Sequence, residues 1–427
     1  MHKFKLSDFK VEKQIGKLSN GVGVLHLKKE AAPISITLAS KSGSRFDPKG
    51  KEGLAHFVEH MLFEGTEKFK GANAIERYIQ NIGGYTNAAT SHEGIYCEFT
   101  VAGKDDLAVV KDIVSEIFNN PLFLQETVEK ERKTIFTEIS GKLQSPAVQA
   151  GVGLGELLFA NAPLAMRTLA FGTLETVKKV TREDIVDFHK NQLPNGLVIV
   201  SCGDVDIEDI TKTFDDILPA VVGKTYALVK PNTSGKTGVK RRKDESDAVC
   251  IEMGFPAVKI GHEDETKLLF LRGLLGGSSL TSLLGEKLRV KEGLVYFIGC
   301  SLFRAADCGV FGIDYKVRKD ALGRSLELVN ETLAQVKSGK FDKSYISLLK
   351  NRITKSGLIR LQTSSAWVDI HDTRELLIGD HSDHIDYMNA IQRVTFDDVV
   401  AVANKYLLPE SMFTYAVGDI TEEDLRF

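Results

Sequence analysis

The stretch His56-Phe57-Val58-Glu59-His60 decides how this chain is read. On an α-helix His56 and His60 are i and i+4, so their imidazoles stand one above the other on the same face. Two neutral ring nitrogens at that spacing can share one Zn²⁺. Glu59 follows His56 by three residues and projects close enough to that face to reach a water beside such an ion. The flanks, Gly53-Leu54-Ala55 and Met61-Leu62-Phe63, are apolar and predict a largely buried helix. A single helical His is ordinarily a surface or satisfied core residue. Two of them with a carboxylate inside a buried helix cost free energy unless something pairs with them.

Zinc that keeps one position open takes a third protein ligand. Candidates lie on the segment from Glu126 to Ile139, which has no Gly or Pro and favours a helix. Glu131 and Glu138 are seven apart and share a face. One can ligate while the other supports. Either alone would read as part of a solvated charged face, and only the histidine helix singles the pair out.

The order His-x-x-Glu-His is the inverted form of the commoner zinc-peptidase motif. With Glu138 following His60 after 77 intervening residues, the chain resembles the pitrilysin-type zinc peptidases. Gly53-Leu54-Ala55-His56 before the motif and Met61-Leu62-Phe63-Glu64-Gly65-Thr66 after it strengthen the resemblance. It implies His56, His60 and Glu138 as ligands of one Zn²⁺ per chain, Glu59 as general base and Glu131 as a supporting acid.

The chain also repeats itself. Val180-Thr181-Arg182-Glu183-Asp184-Ile185-Val186 is echoed by Val394-Thr395-Phe396-Asp397-Asp398-Val399-Val400, 214 positions later. Leu193-Pro194 recurs as Leu408-Pro409, Gly203-Asp204 as Gly418-Asp419, and Gly94-Ile95-Tyr96 as Gly309-Val310-Phe311, each 215 later. Two like domains follow, 1–219 and 248–427, joined by a Gly-, Pro- and Ser-containing linker over 220–247. Asn20-Gly21 signals a hairpin, Ile34, Ile36 and Leu38 alternate as in a half-buried strand, and Leu107, Val110, Ile113, Val114 and Ile117 mark a helical stripe. The pattern predicts an α+β fold, and with the resemblance each domain is a mainly antiparallel sheet covered by helices. Shifting His56, Glu59 and His60 by 214 lands on Phe270, Gly273 and Leu274, so only the first copy has the ligand set.

In the second copy, Arg289 and Tyr296 resemble a family pair that contacts substrate. The resemblance then implies a homodimer in which they act across the interface, Tyr toward a developing oxyanion and Arg toward a peptide carbonyl. The surrounding Ser282-Leu283-Leu284-Gly285 and Arg289-Val290-Lys291 depart from the family's usual words. Gly83-Gly84-Tyr85-Thr86-Asn87-Ala88-Ala89-Thr90 looks like the family's edge strand, where Asn87, Ala88 and Ala89 would pair with an extended peptide. A second cluster, Asp380-His381-Ser382-Asp383-His384-Ile385-Asp386, lacks apolar neighbours and reads as an exposed loop or helix start.

A net charge of −3 gives no reason to invoke nucleic acid or an acidic membrane. The basic run Lys240-Arg241-Arg242-Lys243 is followed at once by Asp244, Glu245 and Asp247. No stretch approaches the ~20 apolar residues that span a bilayer. The N-terminus lacks a signal-peptide apolar run, and the five cysteines are scattered and odd in number, which predicts a cytoplasmic setting. The expectation is a zinc endopeptidase acting on unfolded peptides inside a dimer chamber. Its rivals are a non-catalytic assembly subunit and the catalytic half of a heterodimer.

Overall fold

The computed structural model describes residues 11–71, 73–243, 247–277, 280–382 and 384–425 of the chain. The N-terminal residues behind part of the targeting expectation, Asp244 and Glu245 after the basic run, and Asp383 of the second cluster lie outside them. The first sheet contains β1 (Glu12–Lys17), β2 (Gly23–Lys28), β3 (Ile34–Ser40), β4 (Tyr85–Thr90), β5 (Ile95–Val101) and β6 (Val198–Gly203). Their order is β1-β2-β6-β3-β5-β4, with β2–β6 parallel and the other pairs antiparallel. Asn20 and Gly21 turn β1 into β2, with Gly21 at φ 97°.

The second sheet contains β7 (Thr237–Arg241), β8 (Ala248–Ala257), β9 (Val295–Arg304), β10 (Gly309–Arg318) and β11 (Phe413–Gly418). Here the order is β7-β11-β8-β10-β9, and only β7–β11 is parallel. β2, β3 and β5 begin 214 residues before β7, β8 and β10, so the sequence repeat is a repeat of sheet topology. The molecule is α+β with two like sheets, as the repeat predicts. β7 lies within the stretch read as a linker.

Two compact units interleave along the chain. The first runs through Ser140 and adds Leu164–Ala227 and Gly357–Ile385; the second holds Gly141–Pro163, Leu228–Ser356 and the remainder from Asp386. The helix Pro146–Leu158 therefore packs on β8 and β11, while the helix Ser364–Ile378 packs on β3 and β6. That second helix explains one departure from the sequence reading. Ile34, Ile36 and Leu38 face one side of β3 and Ser35, Thr37 and Ala39 the other, yet all are buried, because the strand is covered on both faces.

The quoted motif forms the helix Leu54–Leu62, hereafter the motif helix. It buries Leu54, Phe57, Val58, Met61 and Leu62, each large side chain contributing about 1.5–3 kcal/mol. Gln125–Gln144 is the long helix predicted from its composition, and Leu107–Asn119 buries the predicted stripe. Among the described residues β4 ends its sheet, with one backbone edge open. The turn after it is fastened by Glu93, buried with Arg45 at 2.7 Å and accepting from Tyr226 Oη at 2.7 Å. No helix of the described residues is long and apolar enough to cross a membrane.

Candidate metal centre

The motif helix begins at Gly53, whose φ of 99° is costly for other residues. A Cβ there would lie 2.3 Å from the Phe171 carbonyl oxygen. The N-cap glycine itself offers no side-chain cap. Instead the Asp47 carboxylate accepts from the Gly53 N–H at 2.7 Å and the Ala55 N–H at 2.8 Å, placing an acid where unsatisfied helix donors point. Burial pushes the Asp47 carboxyl well above its ordinary range, against the pull of those N–H groups.

From this start the helix aims His56 and His60 at one point. Their rings meet edge-on, 4.6 Å between centroids and 75° between planes. The long helix brings Glu138 to the same point: its Oε2 lies 3.6 Å from His56 Nε2 and 3.8 Å from His60 Nε2. Arg132 anchors that helix, donating to the Val177 carbonyl at 2.6 Å and the Val180 carbonyl at 2.8 Å. Its guanidinium also lies 5.2 Å from the centre of the Phe57 ring, on the motif helix. Two turns before Glu138 on the same helix, buried Glu131 accepts from His60 Nδ1 at 3.2 Å. The other Glu131 oxygen lies 3.3 Å from Lys130 Nζ.

Glu59 completes the cluster, with its Oε2 3.9 Å from His56 Nε2. Thr90, the last residue of edge strand β4, donates to that oxygen at 3.1 Å. Burial raises the Glu59 pKa, opposed by the neighbouring His60 ring and the Thr90 hydroxyl. Burial, reinforced by His60, lowers the His56 pKa to about 3 and keeps the ring neutral.

This donor set suits zinc. Four ligands about 2.0–2.1 Å from a common centre stand roughly 3.4 Å apart, close to the separations of the histidine nitrogens from Glu138. Among the described residues, Glu138 makes ion-pair contacts only with the two histidines, and one of these has its second nitrogen bonded to a carboxylate, the usual support of a ligating imidazole.

The structure thus gathers His56, Glu59, His60, Glu131 and Glu138 in the first unit, with Asn87, Ala88 and Ala89 on the adjoining edge strand. Arg289 and Tyr296 belong to the second unit. The Arg289 guanidinium lies 4.8 Å from the Tyr296 ring centre, and Tyr296 is 84% exposed at the start of edge strand β9. Of the second cluster, Asp380 holds Arg374, and Glu375 accepts from His381 at 2.7 Å. Asp47, Phe171 and the Thr90–Glu59 bond escaped the sequence reading. Only Thr90 had a signal there, standing at the end of the quoted edge strand.

Residues 24–152 match the family Insulinase (Peptidase family M16), and residues 179–353 match the Peptidase M16 inactive domain. The chain belongs to the M16 family of zinc peptidases. It is 26% identical to an uncharacterized zinc protease of Bacillus subtilis, over 90% of this chain and 93% of that protein. It is 27% identical to the mitochondrial-processing peptidase subunit beta of Dictyostelium discoideum, over 96% and 89% respectively. The fold matches a solved protease from Helicobacter pylori with a TM-score of 0.85 at 21% identity, covering 95% of this chain and 99% of that one.

Proposed function

We propose that this chain is a zinc endopeptidase of unfolded peptides, binding one Zn²⁺ through His56, His60 and Glu138 and using Glu59 as its general base. The observation that carries the reading is the approach of Glu138 to both histidines, with Glu59 on the same side. Zinc held there supplies Lewis acidity, which makes water nucleophilic near neutral pH and polarises the scissile carbonyl.

The chain's own residues do the rest. Glu59 takes a proton from the attacking water as its oxygen bonds to the carbonyl carbon, then delivers it to the leaving amine nitrogen as the C–N bond breaks. Thr90 holds one Glu59 oxygen and so directs the other. Glu131 fixes the tautomer and orientation of His60. Asn87, Ala88 and Ala89 offer the open backbone edge of β4 to an extended peptide, a mode that reads main chain rather than side chains. In a homodimer, Arg289 and Tyr296 of the partner subunit would contact the substrate carbonyl and the oxyanion. Their mutual contact and the exposure of Tyr296 support this. The relative named as a subunit favours a second reading, in which the partner is a different chain. The mass of the active species separates the two.

Glu59→Gln is the decisive variant. Zinc content stays at the wild-type level while cleavage of a quenched peptide falls about 100- to 10,000-fold. Near-normal cleavage removes Glu59 from the mechanism.

A further inference from the structure

The two histidines are held in different ways. His60 gives its Nδ1 hydrogen bond to buried Glu131. His56 has no counterpart: its Nδ1 is buried and makes no hydrogen bond among the described residues. What lies against the His56 ring is Phe171, with centroids 4.2 Å apart and planes inclined by 31°.

Phe171 is itself tightly placed. Its backbone lies so close to the start of the motif helix that a Cβ on Gly172 would stand 1.9 Å from the Glu52 carbonyl oxygen. A Cβ on Gly53 would likewise strike the Phe171 carbonyl oxygen. Thr176 donates to that same Glu52 oxygen at 2.6 Å and forms a capping box with Thr173 at the head of the helix Leu174–Lys178. The 171–176 segment and the entry to the motif helix therefore form one piece, and the aromatic face is presented to His56 by backbone contacts.

We propose that Phe171 is the positioning residue for His56, its ring face doing for this ligand what the Glu131 carboxylate does for His60. A flat ring packed against an imidazole resists rotation about the Cβ–Cγ bond, which keeps Nε2 turned toward Glu138. The inference rests on the reading of His56 as a zinc ligand.

The test measures zinc affinity by competition with a chromophoric chelator, and thermal unfolding of the zinc-free protein, for wild type, Phe171→Leu and Phe171→Ala. Leu keeps most of the volume and removes the flat face. The expected result is zinc binding weakened about threefold to tenfold in Phe171→Leu, with zinc-free unfolding within about 2 °C of wild type, and roughly tenfold or more in Phe171→Ala. Wild-type affinity in both variants overturns the proposal. So does a loss of affinity that merely follows a matching loss of zinc-free stability. Should Phe171→Ala fail to fold, Phe171→Leu decides alone. A wild type that binds no zinc overturns the ligand reading first and this inference with it, and that control tells the two failures apart.

Discussion

The motif helix of the first unit and the helix Glu265–Gly276 of the second occupy the same place in the repeat, and they are built for opposite ends. Where the first has His56, Glu59 and His60, the second has Phe270, Gly273 and Leu274, all buried. The difference extends to the supporting helix. At the position 214 beyond Glu138 stands Arg352, which donates to the Gly273 carbonyl at 3.1 Å and to Thr281 Oγ1 at 2.8 Å. The position beyond Glu131 is Tyr345, whose hydroxyl donates to the Glu286 carboxylate. One scaffold thus carries a convergent His–Glu cluster in one copy and, at the same helix positions in the other, apolar packing with Arg352 and Tyr345 bonded elsewhere. Each buried Phe or Leu contributes about 1.5–3 kcal/mol, which the first unit forgoes at its ligand positions. Local rules broken this way, without a compensating gain in packing, mark function.

Moving single residues across the repeat tests this contrast. The largest effect belongs to His60→Leu, which copies Leu274. It abolishes stoichiometric zinc binding and lowers peptide cleavage by roughly 1,000-fold or more, while the zinc-free protein unfolds no earlier than wild type. Elemental analysis, a cleavage assay and a melting curve read the three parts. A zinc-loaded His60→Leu protein would break the comparison. A smaller effect is expected for Glu131→Gln, which leaves the ligands in place: zinc affinity falls about 10- to 100-fold, read by chelator competition, and an unchanged affinity would make Glu131 ordinary packing.

The smallest effect concerns a feature the units share. Burial pushes the Asp372 carboxyl in the first unit up to about 7 and the Glu252 carboxyl in the second up to about 8. Each keeps a proton in the folded state that the unfolded chain has released, so folding stability falls as pH rises, from 3.8 toward about 7 for Asp372 and from 4.5 toward about 8 for Glu252. Asp372→Asn and Glu252→Gln should therefore gain on wild type between about pH 5 and about pH 8.5. Urea midpoints at those two values check it, and variants that shadow wild type at both would refute it.

Much of the site could be read before the fold was known, because a helix converts spacing directly into direction. His56 and His60 at i and i+4, and Glu131 and Glu138 two turns apart, needed only the helical period. The sheets were legible through the 214-residue repeat. What periodicity does not say is which surface an apolar stripe will meet. The helices Pro146–Leu158 and Ser364–Ile378 each pack in the unit of the other copy, and β3, patterned as half-buried, is covered twice. Asp47 and Phe171 were silent for a related reason. They act through contacts that no helical or strand period encodes, a carboxylate folding back onto a helix start six and eight residues on and a ring on an imidazole more than a hundred residues away.

His56, His60 and Glu138 are proposed to share one ion. Anomalous diffraction at the zinc edge from crystals of the zinc-loaded protein tests it most directly. One strong peak per chain is expected, within bonding distance of His56 Nε2, His60 Nε2 and a Glu138 carboxylate oxygen. A peak held by other residues, such as His262 and Asp264, or no peak from a protein that still cleaves peptides, would contradict it.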